Sequence, residues 1–362
     1  MKWRNMLIGH ERQIAYLERV RKNGKLAHAY LFHGPEHIGK HKVALALAQA
    51  FYCEHGDKIL SVCHLGGLEK AKKLCPDCSR IARSVHPNVI VLGSDQSQAS
   101  KKSVPDKSFA ISIDDVRNIR KQLTIMAAAG RWRVFIFDGA ERLTREAANA
   151  LLKTLEEPHP GTLFLLTTSQ PDAIPPTIAS RSATLNFHLV PDAILASSAK
   201  QYASDPELIQ EAVRHATGRP GRLISFLTDP KERQRVAQRA KQISLLLSGD
   251  TLDALAISAA VWQDPAETRR LTEDVILSLR ARLLQYFSSY GKIISITDSL
   301  KRIESVRHMM DRTAINRRLA MEVLLTEAQK TNESQNLSRY SHTWNHTSFR
   351  HSDGAWHRRL WE

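Results

Sequence analysis

Long apolar runs are missing from this sequence. Stretches such as Val134 to Phe137 and Leu163 to Leu166 hold four residues each, against the roughly 20 needed to cross a bilayer as a helix. The N-terminus also lacks an apolar segment ahead of a small-residue cleavage site. The expectation is a soluble, cytoplasmic chain with no membrane partner. Cysteine is absent outside one stretch, because all four cysteines lie between residues 53 and 78. That excludes a disulfide framework distributed over the chain. Acidic residues are in deficit, 37 against 52 Lys and Arg, and the formal net charge is +15. Such an excess suits a polyanionic partner, since Lys and Arg gain affinity by releasing counterions from a phosphate backbone. A solvated basic face produces the same count, so charge by itself leaves nucleic acid and no nucleic acid both open. No internal repeat is present.

What is there is enough for two or three domains: 362 residues with 42% hydrophobic content exceed one comfortable core. Through about residue 187, short apolar runs alternate with amphipathic stretches, the pattern of a parallel α/β sheet. Candidate strands are Ala29 to Phe32, Val89 to Leu92, Val134 to Phe137 and Leu163 to Thr167. A helix is expected from Thr144 to Glu157, with Ala148, Leu151, Leu152 and Leu155 on one face, Thr144 as its cap and Pro158 as its stop. After Pro191 the strand signal fades and helical periodicity takes over. Gly218, Pro220 and Gly221 interrupt it, and Thr228 to Lys231 reads as a linker.

The strand at Ala29 runs into GPEHIGKH, Gly34 to His41, which satisfies GxxxxGK through Gly34, Gly39 and Lys40. In an intact phosphate loop the helix N-terminus cradles phosphate, the Lys reaches the terminal phosphates, and a following Ser or Thr binds Mg²⁺. Here that last position is His41. A bland glycine turn before a helix is the competing reading, and the strand-to-helix context weighs against it. The strand Val134 to Phe137 ends at Asp138, where a carboxylate would hold Mg²⁺ through water. The next position, which carries a water-polarising Glu in an active ATPase of this type, is Gly139. Glu141 lies two residues further on, beyond the end of the strand. Two parts of the hydrolysis machinery are therefore missing from their expected places.

The run AERLTREAANALLKTLEEPHPGTLFLLTT (Ala140 to Thr168), together with HAYLFHGP (His28 to Pro35) and IASRS (Ile178 to Ser182), resembles the clamp-loader family of AAA+ proteins. The resemblance covers about residues 5 to 329, strongest through 187. It implies an α/β P-loop AAA+ domain, a parallel sheet flanked by helices, over 1–190, with a cysteine module at 53–78. A helical lid would follow over 191–228, then an all-α collar over 229–329 that joins subunits in a ring. Thr168, with Thr167 as the alternative if the register slips, matches the polar residue ending the sensor 1 strand. Arg181 matches the arginine of the SRC motif, written SRS here, which acts in the neighbouring subunit's ATP site. In TGRPG (Thr217 to Gly221), Gly221 stands where motor subunits carry the sensor 2 arginine. The competing reading of Arg181 is an ordinary surface ion-pair arginine. The implied partners are the motor (gamma/tau) and delta subunits of a hetero-pentameric DNA polymerase III clamp loader, with the sliding clamp and primed DNA met through the complex. The losses (His41, Gly139, Gly221) fall on hydrolysis in cis, while Arg181, which acts in trans, is kept. The alternatives are an active motor subunit and a basic DNA-binding protein that reuses the fold outside a ring.

Cys53, Cys63, Cys75 and Cys78 include a CxxC turn, CPDC, and read as a structural Zn²⁺ site in which four thiolates close the shell. Plain reduced thiols are the alternative, and a redox CxxC lacks the surrounding fold. Similar clamp-loader subunits carry a four-Cys zinc module here with the last three cysteines closely spaced. In this chain eleven residues separate Cys63 from Cys75, so the remaining ligand is Cys63, His64 or His86. From 330 to 362 the chain is rich in Ser, Asn, His and Trp without a sustained period, and a disordered tail is expected.

Overall fold

The computed structural model describes residues 7–56, 75–93, 110–124, 132–248, 251–285, 290–312 and 316–340. These fall into two compact units that divide at Pro230.

The first unit is built on a five-stranded sheet: β1 (Ala29–His33), β2 (Val89–Leu92), β3 (Arg133–Asp138), β4 (Thr162–Thr168) and β5 (Ala183–Asn186). The order is β2-β3-β4-β1-β5 and every pairing is parallel. Helices α1 (Glu11–Lys22) to α9 accompany it in chain order: α2 (Lys40–Gln49), α3 (Pro76–Ala82), α4 (Ile113–Thr124), α5 (Arg145–Glu156), α6 (Pro176–Ala179), α7 (Asp192–Ala199), α8 (Pro206–Ala216) and α9 (Pro220–Thr228).

Side chains alternate along each strand, so each central strand feeds two cores. Tyr30 and Phe32 of β1, Val134 and Ile136 of β3, and Leu163 and Leu165 of β4 pack with Leu17 of α1 and Val43 and Leu47 of α2. Leu31, Phe135, Phe137, Phe164 and Leu166 point the other way, onto Val116 and Ile119 of α4 and Leu151 and Leu155 of α5. Burial on both faces explains why these strands read as unbroken apolar runs. Each such side chain contributes on the order of 1.5–3 kcal/mol. The same alternation aims Asp138 and Thr167 at the α2 face and Thr168 at the α5 face.

The four strands expected from sequence are present, one or two residues longer where they differ. β5 was not anticipated. It is a four-residue edge strand whose side chains are at most half-buried, so it lacks the apolar signal. Helix α5 starts after Thr144, whose hydroxyl accepts the Ala147 N–H at 3.1 Å, as the cap reading required. The stretch read as a linker, Thr228 to Lys231, is where the two units divide, but it is nearly all helical: α9 runs to Thr228, the next helix begins at Pro230, and only Asp229 intervenes. Proline at a first helical turn does not break a helix, so the breaker residues marked the boundary and not an extended segment.

The second unit is helical: α10 (Pro230–Ser248), α11 (Thr251–Val261), α12 (Pro265–Gln285), α13 (Tyr290–Arg312) and α14 (Arg317–Tyr340). Leu246, Val275, Leu279, Ile303, Met321, Leu324 and Leu325 form its core. Buried Arg239 is paired with Asp274 at 3.1 Å and Glu267 at 3.0 Å. Helix α14 continues to Tyr340, which corrects the tail boundary set at 330. Residues 330 to 340 include Glu333, Gln335, Leu337 and Arg339, which are good helix formers, and a composition-based reading passes over them. Residues 341–362 lie outside the described residues.

Candidate functional site

The phosphate-loop segment leaves β1 at Gly34, whose N–H donates to Thr168 O at 3.3 Å, and enters α2 at Gly39. His10, just before α1, places Nε2 2.8 Å from Ile38 O and so ties the loop to the N-terminal segment. Lys40 is buried. Its Nζ donates to Gly34 O and Pro35 O, both at 2.7 Å, so the ammonium is held by the loop's own carbonyls. Burial lowers the Lys40 pKa to about 8, against the upward pull of Glu141, Glu36 and Asp138, and Arg219 adds to the lowering.

Asp138 stands at the end of β3, as expected. Its Oδ2 lies 3.4 Å from His41 Nδ1, and its Oδ1 accepts the Thr167 hydroxyl at 3.1 Å. Thr167 Oγ1 in turn accepts the Gly139 N–H at 3.1 Å. Burial alone would raise the Asp138 pKa, but His41, Thr167 and Arg142 together hold it below the usual carboxylate value. Thr168, the residue assigned from sequence, is on the opposite face. Its hydroxyl accepts the Gln170 N–H at 3.0 Å in a local turn. Of the two threonines weighed, Thr167 is the one whose hydroxyl reaches Asp138, and the period-2 side-chain alternation of β4 is the reason.

Glu141 turns toward the end of β4, where Oε1 accepts the Ser169 hydroxyl at 3.0 Å, and the same hydroxyl lies 3.4 Å from Glu36 Oε1. Sequence reasoning singled out neither Ser169 nor Glu36. Glu36 is one of the variable positions inside the phosphate-loop motif and Ser169 sits just past Thr168, so neither carries a residue-type signature. Gly221 touches the loop directly, since its N–H donates to His37 O at 2.8 Å. A Cβ added there would lie 2.7 Å from that oxygen. The loop at His37 therefore occupies space that any side chain at 221 would need.

The Mg²⁺ that an intact loop of this kind would hold does not fit these residues. The hydroxyl ligand is replaced by His41, and the imidazole faces the carboxylate opposite it. Arg181 follows α6, is partly exposed, and lies with Nη2 2.9 Å from Glu156 Oε1. Its Nη1 donates to Thr177 O at 3.1 Å.

The cysteines form a separate centre. Sγ atoms of Cys53, Cys75 and Cys78 all lie within 4.8 Å of one another. A tetrahedral zinc with bonds near 2.3 Å needs sulfurs about 3.8 Å apart, so three thiolates fit a Zn²⁺ ion here. Cys75 caps α3, accepting the Cys78 N–H at 3.4 Å, which fixes the CxxC turn. Burial raises the Cys78 thiol. Burial also opposes ionisation of Cys75, but the backbone N–H groups of Cys78 and Glu54 outweigh it and bring that thiol to about 7. Cys63 and His64 lie outside the described residues. His86 does not serve as the remaining ligand: its Nδ1 accepts the Asn88 N–H at 3.1 Å and its Nε2 faces Asp77 at 3.7 Å.

Residues 9–191, just over half of the chain, match the family described as DNA polymerase III, delta subunit. The chain belongs to that family. The clamp-loader resemblance read from residues 140 to 168 is thereby borne out. Among curated relatives, the tau subunit of DNA polymerase III from Bacillus subtilis (strain 168) is 29% identical over 261 residues, covering 71% of this chain and 41% of the relative. The tau subunit from Escherichia coli (strain K12) is 31% identical over 192 residues, 52% of this chain and 26% of the relative. The delta' subunit from B. subtilis is 30% identical over 195 residues, 54% of this chain and 52% of the relative. The chain thus spans between 26% and 52% of the length of these proteins. Family membership and the parallel α/β architecture agree, whereas tau and delta' relatives match about equally well. Which role this member plays has to be argued from its site.

Proposed function

We propose that this chain acts as a delta-prime-type subunit of the DNA polymerase III clamp loader. In this reading it hydrolyses no ATP itself and lends Arg181 to the nucleotide site of a neighbouring motor subunit. The observation that carries the reading is the His41–Asp138 contact, 3.4 Å across, at the position where a motor subunit places a hydroxyl and its metal. Gly139 and Gly221 support it, because a side chain at 139 would stand in a left-handed backbone conformation and one at 221 would meet the His37 carbonyl at 2.7 Å. Arg181 would complete a hetero-pentameric ring of gamma/tau, delta and this chain, acting with the sliding clamp on primed DNA in the cytoplasm. Among the described residues no helix is long and apolar enough to cross a membrane. Where a bound Zn²⁺ completes the cysteine centre, Cys53, Cys75 and Cys78 would hold it and the ion would crosslink α3 to the end of α2. A motor-subunit role is the second reading, favoured by the 261-residue match to tau.

The test is ATP turnover and clamp loading by the reconstituted complex. With Arg181→Ala the ring should still assemble on gel filtration, and turnover at one site should be lost, where an arginine supplied in trans is worth about 10³ to 10⁵ in rate. Arg181→Lys should fail almost as badly, since an ammonium does not reproduce the planar fork. Unchanged turnover in a fully assembled mutant complex would refute the role in trans.

A further inference from the structure

We propose that His41 takes the place of the divalent metal at Asp138, so that this site works without magnesium altogether. The inference rests on reading residues 34–41 as a phosphate loop. Mg²⁺ needs oxygen ligands at about 2.0–2.1 Å in near-octahedral array and keeps several of its waters. Here Oδ1 of Asp138 accepts the Thr167 hydroxyl at 3.1 Å, and Oδ2 faces His41 Nδ1 at 3.4 Å. Nδ1 is buried and at this distance makes an ion-pair contact rather than a well-formed hydrogen bond. An imidazole ring, larger than a hydroxyl and bearing nitrogen, stands where an intact loop would present its magnesium-binding hydroxyl.

The arrangement is also connected. Thr167 Oγ1 accepts the Gly139 N–H at 3.1 Å, so His41, Asp138, Thr167 and the Gly139 backbone form one chain of contacts. It links the start of α2 to the ends of β3 and β4. In a metal-dependent site the ion would make that link; here a side chain makes it permanently. The charged groups that bear on Asp138 and the adjacent Lys40 are His41, Arg142, Glu36, Glu141 and Arg219. Of these, Glu141 is drawn toward β4, where Oε1 accepts the Ser169 hydroxyl at 3.0 Å, while its Oε2 is buried without a hydrogen-bond partner.

The experiment uses the full-length, zinc-replete chain and reads melting temperature. Wild type should melt at the same temperature with and without millimolar MgCl₂, and ADP should have no larger effect in the presence of magnesium than in its absence. His41→Ser should lower the melting temperature by about 2–4 °C. In an Asp138→Asn background the same substitution should cost little more, because the pair is already broken. Magnesium stabilisation of the wild type, alone or through ADP, would overturn the proposal, and so would strictly additive losses in the double mutant. Failure of the Arg181→Ala experiment would leave both readouts untouched, since neither involves a second chain.

Discussion

Gly139 sits at φ +79°, and an added Cβ would approach Arg142 Nε to 2.9 Å. An L-residue held in that conformation costs about 1–2 kcal/mol, so glutamate cannot simply be restored there. Gly139→Glu should lower the stability of the isolated chain by about that amount in urea denaturation, with no gain of ATP turnover. A stable variant with measurable turnover would mean that the backbone relaxes and the site is closer to a motor than argued above. The motif glycines, Lys40 and Asp138 were legible from sequence because spacing and strand context fix them. The choice between Thr167 and Thr168 was not, since both are threonines and a single step of register decides which face each one takes. Only the β3–β4 pairing of Asp138 with Thr167 settles it.

At the scale of elements, legibility followed burial. β1, β3 and β4 are covered on both faces and were visible as apolar runs, while edge strand β5 and the last turns of α14 carry no such signal. The cysteine module is intermediate: CPDC predicts a tight turn, and the structure makes it the capped start of α3. Bringing Cys53 to that turn depends on where α2 ends, which spacing alone does not specify. Cys75 both offers a ligand sulfur and caps α3 through the Cys78 N–H, so the choice of substitution decides whether one role or both are removed. Cys75→Ser keeps a capping oxygen but exchanges a soft ligand for a poor one. The expected outcome is release of one zinc per chain by elemental analysis, together with destabilisation of the module, while α3 itself stays helical. Wild-type protein purified without chelator and found free of zinc would remove the metal from the account.

For the whole molecule, the decisive fact is that, among the described residues, each unit has a core of its own. The cores on the two sheet faces draw only on residues up to Phe187, and the helical core draws only on residues from Ile243 to Ala328. The sheet unit also contains α7 to α9, bonded to the phosphate-loop segment through Gly221 and to the chain after β5 by the Val190 N–H on Gly218 O at 2.8 Å. Among the described residues its sheet pairings and both sheet-face cores lie before residue 230. A fragment of residues 1–230 should fold alone, hold as much zinc as the intact chain does, and melt cooperatively within a few degrees of one transition of the intact chain. If the five helices beyond 230 provide the ring contacts, as the proposed function requires, the fragment should carry an intact Arg181 yet fail to join motor and delta subunits on gel filtration or support their hydrolysis. Circular dichroism melts and reconstitution separate these claims. A fragment that does not fold shows that the second unit stabilises the first, whereas a folded fragment that assembles and stimulates turnover shows that the ring is held elsewhere.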